Sequence, residues 1–540
     1  MRRICSATLA VLFALLPARA FAATYYVAQN GNDSGAGSMS APWATLQHAA
    51  DSVQAGDQVL VLPGAYAGFY LDRSGAPGSE ITFKAQPGVT ITSENAETPD
   101  GINLEGASYV TIEGFTVNGM ERAGLRAVLG DHVTLRNNQA GANGRWGILT
   151  GFVEDLLIEG NRTSGSLVEH GIYVSNSADR PIIRHNIVWN NARNGIHING
   201  DAEQGGDGII SGAVVEANTI YSNGADGGSG INCDGVQDSL LVNNLIYDAR
   251  ASGISLYRID GGGPSSGNLV INNTVVVAST GRWALNIQDE SSDNKVFNNI
   301  FFNSHPARGA INLCGPGCEA GFESDYNVVL DRFTANDDSL LTLAAWRGAT
   351  GQDSHSITCE QSAVFVDAAA NDYRVTEASA ARDVGTSVNA PLSDLAGNTR
   401  PAGGAVDIGA FEYCGINCSP ASGGSNGSGG SSAAGSSSGG ASNGTAGGGN
   451  GTAGGGNVAG GGRAGSGGLG ADRGGASAGG TGIGIGAMHG GAAGSGSDNP
   501  SGGTVEDAGG CSCRQVGARS SSSTWGWLAI LGLVARRRRQ

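Results

Sequence analysis

Lysine is nearly missing from this 540-residue chain, which has only Lys84 and Lys295. With a formal net charge of −17, that scarcity excludes a nucleic-acid partner, because backbone-phosphate binding rests on clustered basic side chains. Patterned metal ligands are scarce as well. The nine cysteines have irregular spacings and no accompanying histidine pair, which argues against zinc. Neither an EF-hand loop nor the regular calcium-binding nonapeptide occurs. Apolar runs are short. Leu9 to Leu16 and WGWLAILGLVA both fall below the roughly 20 residues of a membrane-spanning helix.

Glycine is abundant, with 92 residues, and much of it lies between Ser419 and Gly510. That stretch of Gly, Ser, Ala and Asn has no apolar periodicity and reads as a tether spanning on the order of 50 Å as a random coil. The folded part is therefore nearer roughly 390 residues. Met1-Arg2-Arg3, the apolar stretch behind it and Ala20-Phe21-Ala22 read as a secretory leader over residues 1–22, with the mature chain beginning at Ala23. An exported chain can form disulfides. Cys314, Cys318, Cys359, Cys414 and Cys418 are the candidates, with no connectivity fixed, while Cys233 reads as a buried apolar residue.

Between Val110 and Tyr326 the chain repeats. EHGIYVSNSAD, RNGIHINGDAE, GSGINCDGVQD, ASGISLYRIDG, RWALNIQDESS and RGAINLCGPGC read alike, and PIIRHN, AVVEAN, SLLVNN, NLVINN and NKVFNN share a strand ending in Asn. The asparagines Asn138, Asn161, Asn186, Asn218, Asn244, Asn273 and Asn299 recur every 23 to 32 residues. Two short apolar strands per repeat with Asn or Gly at the corners predict an all-β solenoid, a parallel β-helix over residues 23–413. The corner asparagines are expected to stack their amides and to take up the left-handed backbone conformation. WATLQHAADSV places Trp43, Leu46, Ala50 and Val53 at helical spacing behind Ser40 and Pro42, a short helix that would cover the open N-terminal end.

The stretch TYYVAQNGNDSGAGSMSAPWATLQHAADSVQAGDQVLVLPGAY resembles the N-terminal region of secreted right-handed parallel β-helix proteins, including chondroitinase-B-like and pectate-lyase-like polysaccharide lyases. The resemblance runs from Thr24 to Tyr413. It implies a monomeric right-handed parallel β-helix that engages an extracellular or cell-wall polysaccharide. SAVFVDAAANDYRVTEASAARDVGTS and DLAGNTRPAGGAVDIGAFEY resemble the closing region of bacterial surface β-helix proteins, read as short edge strands over the last coil; Asp407 and Glu412 there read as structural. Cys511-Ser512-Cys513, the apolar stretch after it and Arg536 to Arg539 resemble the MYXO-CTERM sorting signal of myxobacterial exported proteins. That resemblance implies retention at the cell surface, with residues 414–510 as linker and 511–540 as the sole envelope attachment.

Laying the six rungs in register sends Ile172, Ile196, Ile231, Ile254, Leu285 and Ile311 inward, followed two residues on by Val174, Ile198, Cys233, Leu256, Ile287 and Leu313. One outward column is Tyr173, His197, Asn232, Ser255, Asn286 and Asn312. The next is Ser175, Asn199, Asp234, Tyr257, Gln288 and Cys314. With His170, Arg258, Arg282 and Trp283 alongside, they form a polar and aromatic patch, since neighbouring strands lie about 4.8 Å apart.

β-Elimination of a uronate polymer requires a cation for the carboxylate, a base for the C5 proton and an acid for the leaving oxygen. His197, His170 or Tyr257 are candidates for base and acid, Arg258 or Arg282 for the carboxylate clamp. Asp234 is a further catalytic candidate. Tyr173, Asn199, Asn232, Arg282, Trp283, Asn286 and Gln288 are candidates for substrate contacts. Hydrolysis would instead pair two carboxyl groups about 5 to 9 Å apart, with Asp234 beside Asp201, Asp260 or Asp289. NCDG at Asn232 resembles the N-x-D-G of polygalacturonases, but their following paired aspartates and Gly-His-Gly are absent in that order. Asp201, Asp207 and Asp234, in or beside Gly-rich loops, form a candidate calcium site. The alternative without chemistry is a carbohydrate-binding or adhesive surface protein.

Overall fold

The computed structural model describes residues 22–415. The leader up to Phe21, the glycine-rich segment beyond Gly415 and the C-terminal ending lie outside the described residues. Three parallel sheets run along the repeat. Sheet I has twelve strands from Thr24–Val27 to Glu323–Asp325, sheet II eleven from Phe69–Leu71 to Phe333–Thr334, and sheet III twelve from Gly64–Ala67 to Ile357–Thr358. Each repeat contributes one short strand to each sheet, so its apolar face is buried only against the repeats before and after it. The twelve inward residues predicted for the six rungs are all fully buried. Burial of each large aliphatic side chain contributes about 1.5–3 kcal/mol over leaving it in water.

The corner between sheets I and III carries the asparagine ladder. Asn138 Nδ2 donates to Asn161 Oδ1 at 3.1 Å, and the relay continues through Asn186, Asn218, Asn244, Asn273 and Asn299 to Asn327. Each Oδ1 also accepts the backbone N–H of the preceding ladder residue, and each Nδ2 also reaches a strand carbonyl, as Asn244 does to Val215 at 2.8 Å. The stacking is as expected, but the backbone differs from the expectation. The left-handed residue is the one before the ladder position: Asn137, His185, Ala217, Asn243, Asn272, Asn298 and Tyr326 have φ between 52° and 57°. A ladder amide must face its neighbours along the stack, so the sharp bend falls to the preceding residue.

The predicted helix spans Leu46–Ser52. Thr45, rather than Ser40 or Pro42, caps it by accepting the His48 N–H, and Asp33 holds the Thr45 hydroxyl at 2.8 Å. Gln47 then closes the sheet edge: its Nε2 donates to Tyr70 O at 3.0 Å and its Oε1 accepts from Tyr70 N at 2.9 Å.

At the other end, the closing region does not simply lie over the last coil. The Leu343–Thr350 helix covers it, with fully buried Trp346 stacked 5.0 Å from Phe333. The segment beyond folds back along the side of the solenoid. Asn243, Asn272 and Asn298 donate to the carbonyls of Ser393, Asp407 and Thr386. Arg400, wholly buried, pairs with Glu412 at 2.8 Å, and Asp407 accepts the N–H groups of Asp383 and Tyr413. Cys314 is disulfide-bonded to Cys318, Cys414 is also disulfide-bonded, and Cys233 and Cys359 are free.

Candidate active-site groove on sheet II

The outward face of sheet II is built by Trp146–Glu154, Ile172–Ser175, Ile196–Asn199, Ser229–Asp234, Ser252–Tyr257, Leu285–Ile287 and Ile311–Leu313. Register places Tyr173, His197, Asn232, Ser255, Asn286 and Asn312 directly opposite one another in that order. The second column pairs Ser175, Asn199, Asp234 and Tyr257. It ends there, because the next strands stop at Ile287 and Leu313, leaving Gln288 and Cys314 beyond the ladder.

At the N-terminal half of the groove, Trp146, Tyr173 and His197 stack on consecutive rungs, with centroids 5.9 and 5.0 Å apart. The Arg145 guanidinium lies 4.4 Å over the Trp146 ring, an attractive cation–π arrangement. His170 stands edge-on to His197, and His170 Nε2 is 3.0 Å from His197 Nδ1. The backbone N–H of Asn194 donates to His170 Nδ1 at 3.3 Å. That bond assigns the tautomers. His170 Nδ1 accepts, so its Nε2 carries the proton and donates to His197 Nδ1, leaving the proton of neutral His197 on Nε2. Burial drives the His197 pKa down to about 3, with Arg193 adding to the shift. Burial, then His197 and the nearby arginines, hold His170 well below the usual histidine range. At neutral pH the pair is an uncharged relay ending in an N–H donor. In this tautomer His197 offers an N–H donor at Nε2, and its Nδ1 is taken by His170.

In the next rungs, Asn232 Nδ2 donates to Tyr257 Oη at 2.8 Å, while Ser229 Oγ reaches Asn232 Oδ1 at 3.3 Å and Ser255 Oγ at 2.8 Å. These groups line a crevice with Ile259, Arg282, Asn286 and Gln288. Gln288 and Asn312 both donate to Asn286 Oδ1. Tyr173 is tied by Asn199 Nδ2 at 3.0 Å, and burial raises its phenol pKa far above the usual value. Trp283 is buried beside the crevice, whereas Arg258 is exposed, its backbone N–H meeting Asp289 at 3.4 Å.

Asp234 holds a loop in place. Its carboxyl accepts the N–H groups of Ile259, Asp260 and Gly261 at 2.9, 2.9 and 3.0 Å. Burial lifts its pKa to about 6 against those three bonds. Asp201 accepts the N–H of Glu203, and Asp207 that of Ile209. Asp234 thus uses both carboxyl oxygens on loop backbone, whereas Asp201 and Asp207 each use one. Among the described residues, no three His, Cys, Asp or Glu side chains gather as a metal cluster.

Several buried polar atoms on this face have no protein partner: Trp146 Nε1, His197 Nε2, Asn199 Oδ1, Trp283 Nε1 and Asn312 Oδ1. They spread over seven adjacent strands, a row on the order of 30 Å long. Sequence reasoning missed Trp146, Asn194 and Ser229. Trp146 and Trp283 lie at the two ends of one column through His170, Asn194, Ser229 and Ser252. The signal was present in the repeated dipeptide Arg145-Trp146 and Arg282-Trp283, each followed by a small residue and an inward aliphatic one.

Comparison with known proteins agrees with the architecture. Residues 25–155 match the Pel9A-like right-handed β-helix region, and residues 158–333 match the right-handed β-helix region. The crystal structure of pectate lyase Pel9A is similar at 17% identity and a TM-score of 0.51, covering 73% of this chain and 97% of that one. An alginate lyase from Paenibacillus sp. str. FPU-7 is similar at 19% identity and a TM-score of 0.42, covering 53% of this chain and 97% of that one. No curated protein matches the sequence. The fold of the described chain is a right-handed parallel β-helix.

Proposed function

We propose that this protein is an exported, surface-held enzyme that takes a strand of acidic polysaccharide along sheet II and cleaves it by β-elimination. The observation that carries the reading is the crevice on sheet II where Arg282 and Tyr257 stand together with Asn232, Ser255, Asn286 and Gln288. Arg282, which lines the crevice with Tyr257, neutralises the uronate carboxylate at C5 and so acidifies the C5 proton. Tyr257, acting as the phenolate with its Oη held by the Asn232 amide, removes that proton and becomes the phenol; the C4–O bond breaks as the C4–C5 double bond forms, and the phenol passes the proton to the departing oxygen. The His170–His197 pair lies two rungs from Tyr257, toward the N-terminal half of the groove. Carboxylate neutralisation is assigned to arginine; activity lost in a chelator would assign it to calcium instead.

The test is ultraviolet absorbance of the unsaturated product from polygalacturonate and alginate, with and without calcium. Product that persists in a chelator supports the mechanism as drawn. Binding to these polymers with neither unsaturated product nor new reducing ends would make the protein a carbohydrate-binding surface protein instead.

A further inference from the structure

A second cleft lies on a different face. Residues 361–373 of the closing region lie against the outward side of sheet III and leave a space of about 420 Å³, within the range of small-ligand sites. Tyr221, Tyr247, Tyr373, Asp248, Ser304 and Asn371 line it, over an apolar floor of Val276 and Val277. The tyrosines are ordered by a ladder of their own. Trp189 stacks on Tyr221 at 5.9 Å, Tyr221 on Tyr247 at 4.9 Å, and Tyr373 tilts onto Tyr247 at 5.2 Å. Because their faces meet each other, the rings offer edges and hydroxyl groups to the cleft rather than stacking platforms. Burial pushes the pKa of both Tyr247 and Tyr373 up to about 12, keeping those hydroxyls protonated.

Two backbone irregularities fall at this cleft. Pairing between the Leu245–Ala249 and Thr274–Val277 strands slips at Asp248, which has φ 48°. Bulges of this kind re-aim a side chain and cluster beside binding sites. Asn371 has φ 60° and accepts a hydrogen bond from the Tyr373 hydroxyl at 3.3 Å. The charge differs from that of the sheet II groove. Among the described residues, no arginine or lysine lines this cleft, and the one charged residue is Asp248, whose carboxylate accepts from Ser222 at 2.6 Å. An anionic sugar would meet a carboxylate and no cation.

We infer that the cleft between sheet III and residues 361–373 is a second saccharide site, selective for neutral sugar residues. Hydroxyl groups of the ligand meet the tyrosine edges, Asp248 and Asn371, while its C–H surface lies on the valines. The site stands independently of any chemistry on sheet II.

Calorimetric titration of the full chain with xylohexaose, β-1,4-galactohexaose and hexagalacturonate tests it. At least one neutral hexaose should bind, and Ala278→Trp, which fills the cleft mouth, should weaken that binding at least about tenfold. Tyr247→Phe keeps the ring stack and should also weaken it, so it decides the matter if Ala278→Trp lowers the melting temperature. Hexagalacturonate binding should be unchanged in both variants. Failure of both neutral probes at millimolar concentration, or neutral binding unaffected by the two variants, would overturn the proposal. So would weakening of hexagalacturonate binding by the same substitutions.

Discussion

Asparagine does two different things in this molecule. At the corner between sheets I and III it forms a ladder in which every internal amide both donates to the next and accepts from the one before. On sheet II, Asn199 and Asn312 are equally buried, yet each has an oxygen without a partner. Residue type and burial therefore do not separate these two sets; saturation of hydrogen-bonding capacity does, although Asn143 at another corner also keeps an unpartnered Nδ2. A saturated column holds coils together.

The sharpest way to break that comparison is to cut one column of each kind. Asn244→Ala strands the Asn218 side chain and backbone donors in the interior, and should cost about 3 kcal/mol in denaturant unfolding. If it costs no more than Asn199→Ala, the distinction fails. Next in size is Tyr257→Phe, which should lower the rate of unsaturated product formation by at least about 100-fold with the unfolding midpoint unmoved. An unchanged rate would remove Tyr257 from the chemistry.

A pH series separates the two regions further, because the ladder does not titrate and the groove does. His197 has its folded pKa depressed from 6.5 to about 3, so the unfolded chain binds the extra proton. Its contribution to stability is complete above 6.5 and is lost as pH falls through the window toward 3, by up to about 1.4 kcal/mol per unit. Asp234, raised from 3.8 to about 6, acts oppositely: its native state binds the extra proton, and stability falls as pH rises between those values. His197→Gln should therefore flatten the acid side of the profile in thermal melts, and an unchanged slope would contradict burial of a neutral pair. The smallest effect concerns the ladder's bend. Ala217→Gly, at φ 52°, should stabilise by about 1 kcal/mol by relieving left-handed strain, while the same change at an inward alanine should destabilise.

The columns of sheet II were legible because side chains alternate strictly along a strand. Once Ile172, Ile196 and Ile231 are aligned, Tyr173, His197 and Asn232 must follow. Periodicity does not carry the contacts that the turns make. Asp234 occupies an outward position like its neighbours, but the return of the chain through Ile259, Asp260 and Gly261 turns its carboxyl into a loop anchor. That return belongs to an irregular turn with no repeat signature. The roles of His170 and His197 depended on a backbone N–H from Asn194, invisible until the rungs were stacked. The sheet III cleft was hidden for a different reason: Tyr247 and Tyr373 meet through a segment that lies outside the repeat altogether.

The Gln47 bond to Tyr70 has a consequence beyond the first coil. A primary amide carries one carbonyl and an N–H donor at nearly the spacing of a peptide unit, so Gln47 imitates one residue of an incoming strand. The place where another molecule's strand would begin to pair is already taken. A solenoid grows by adding like to like, and in sheet II one glutamine makes the first position unlike. Replacing Gln47 with leucine would leave the coil folded but expose a pairing edge, turning a closed end into a seed for end-to-end fibres.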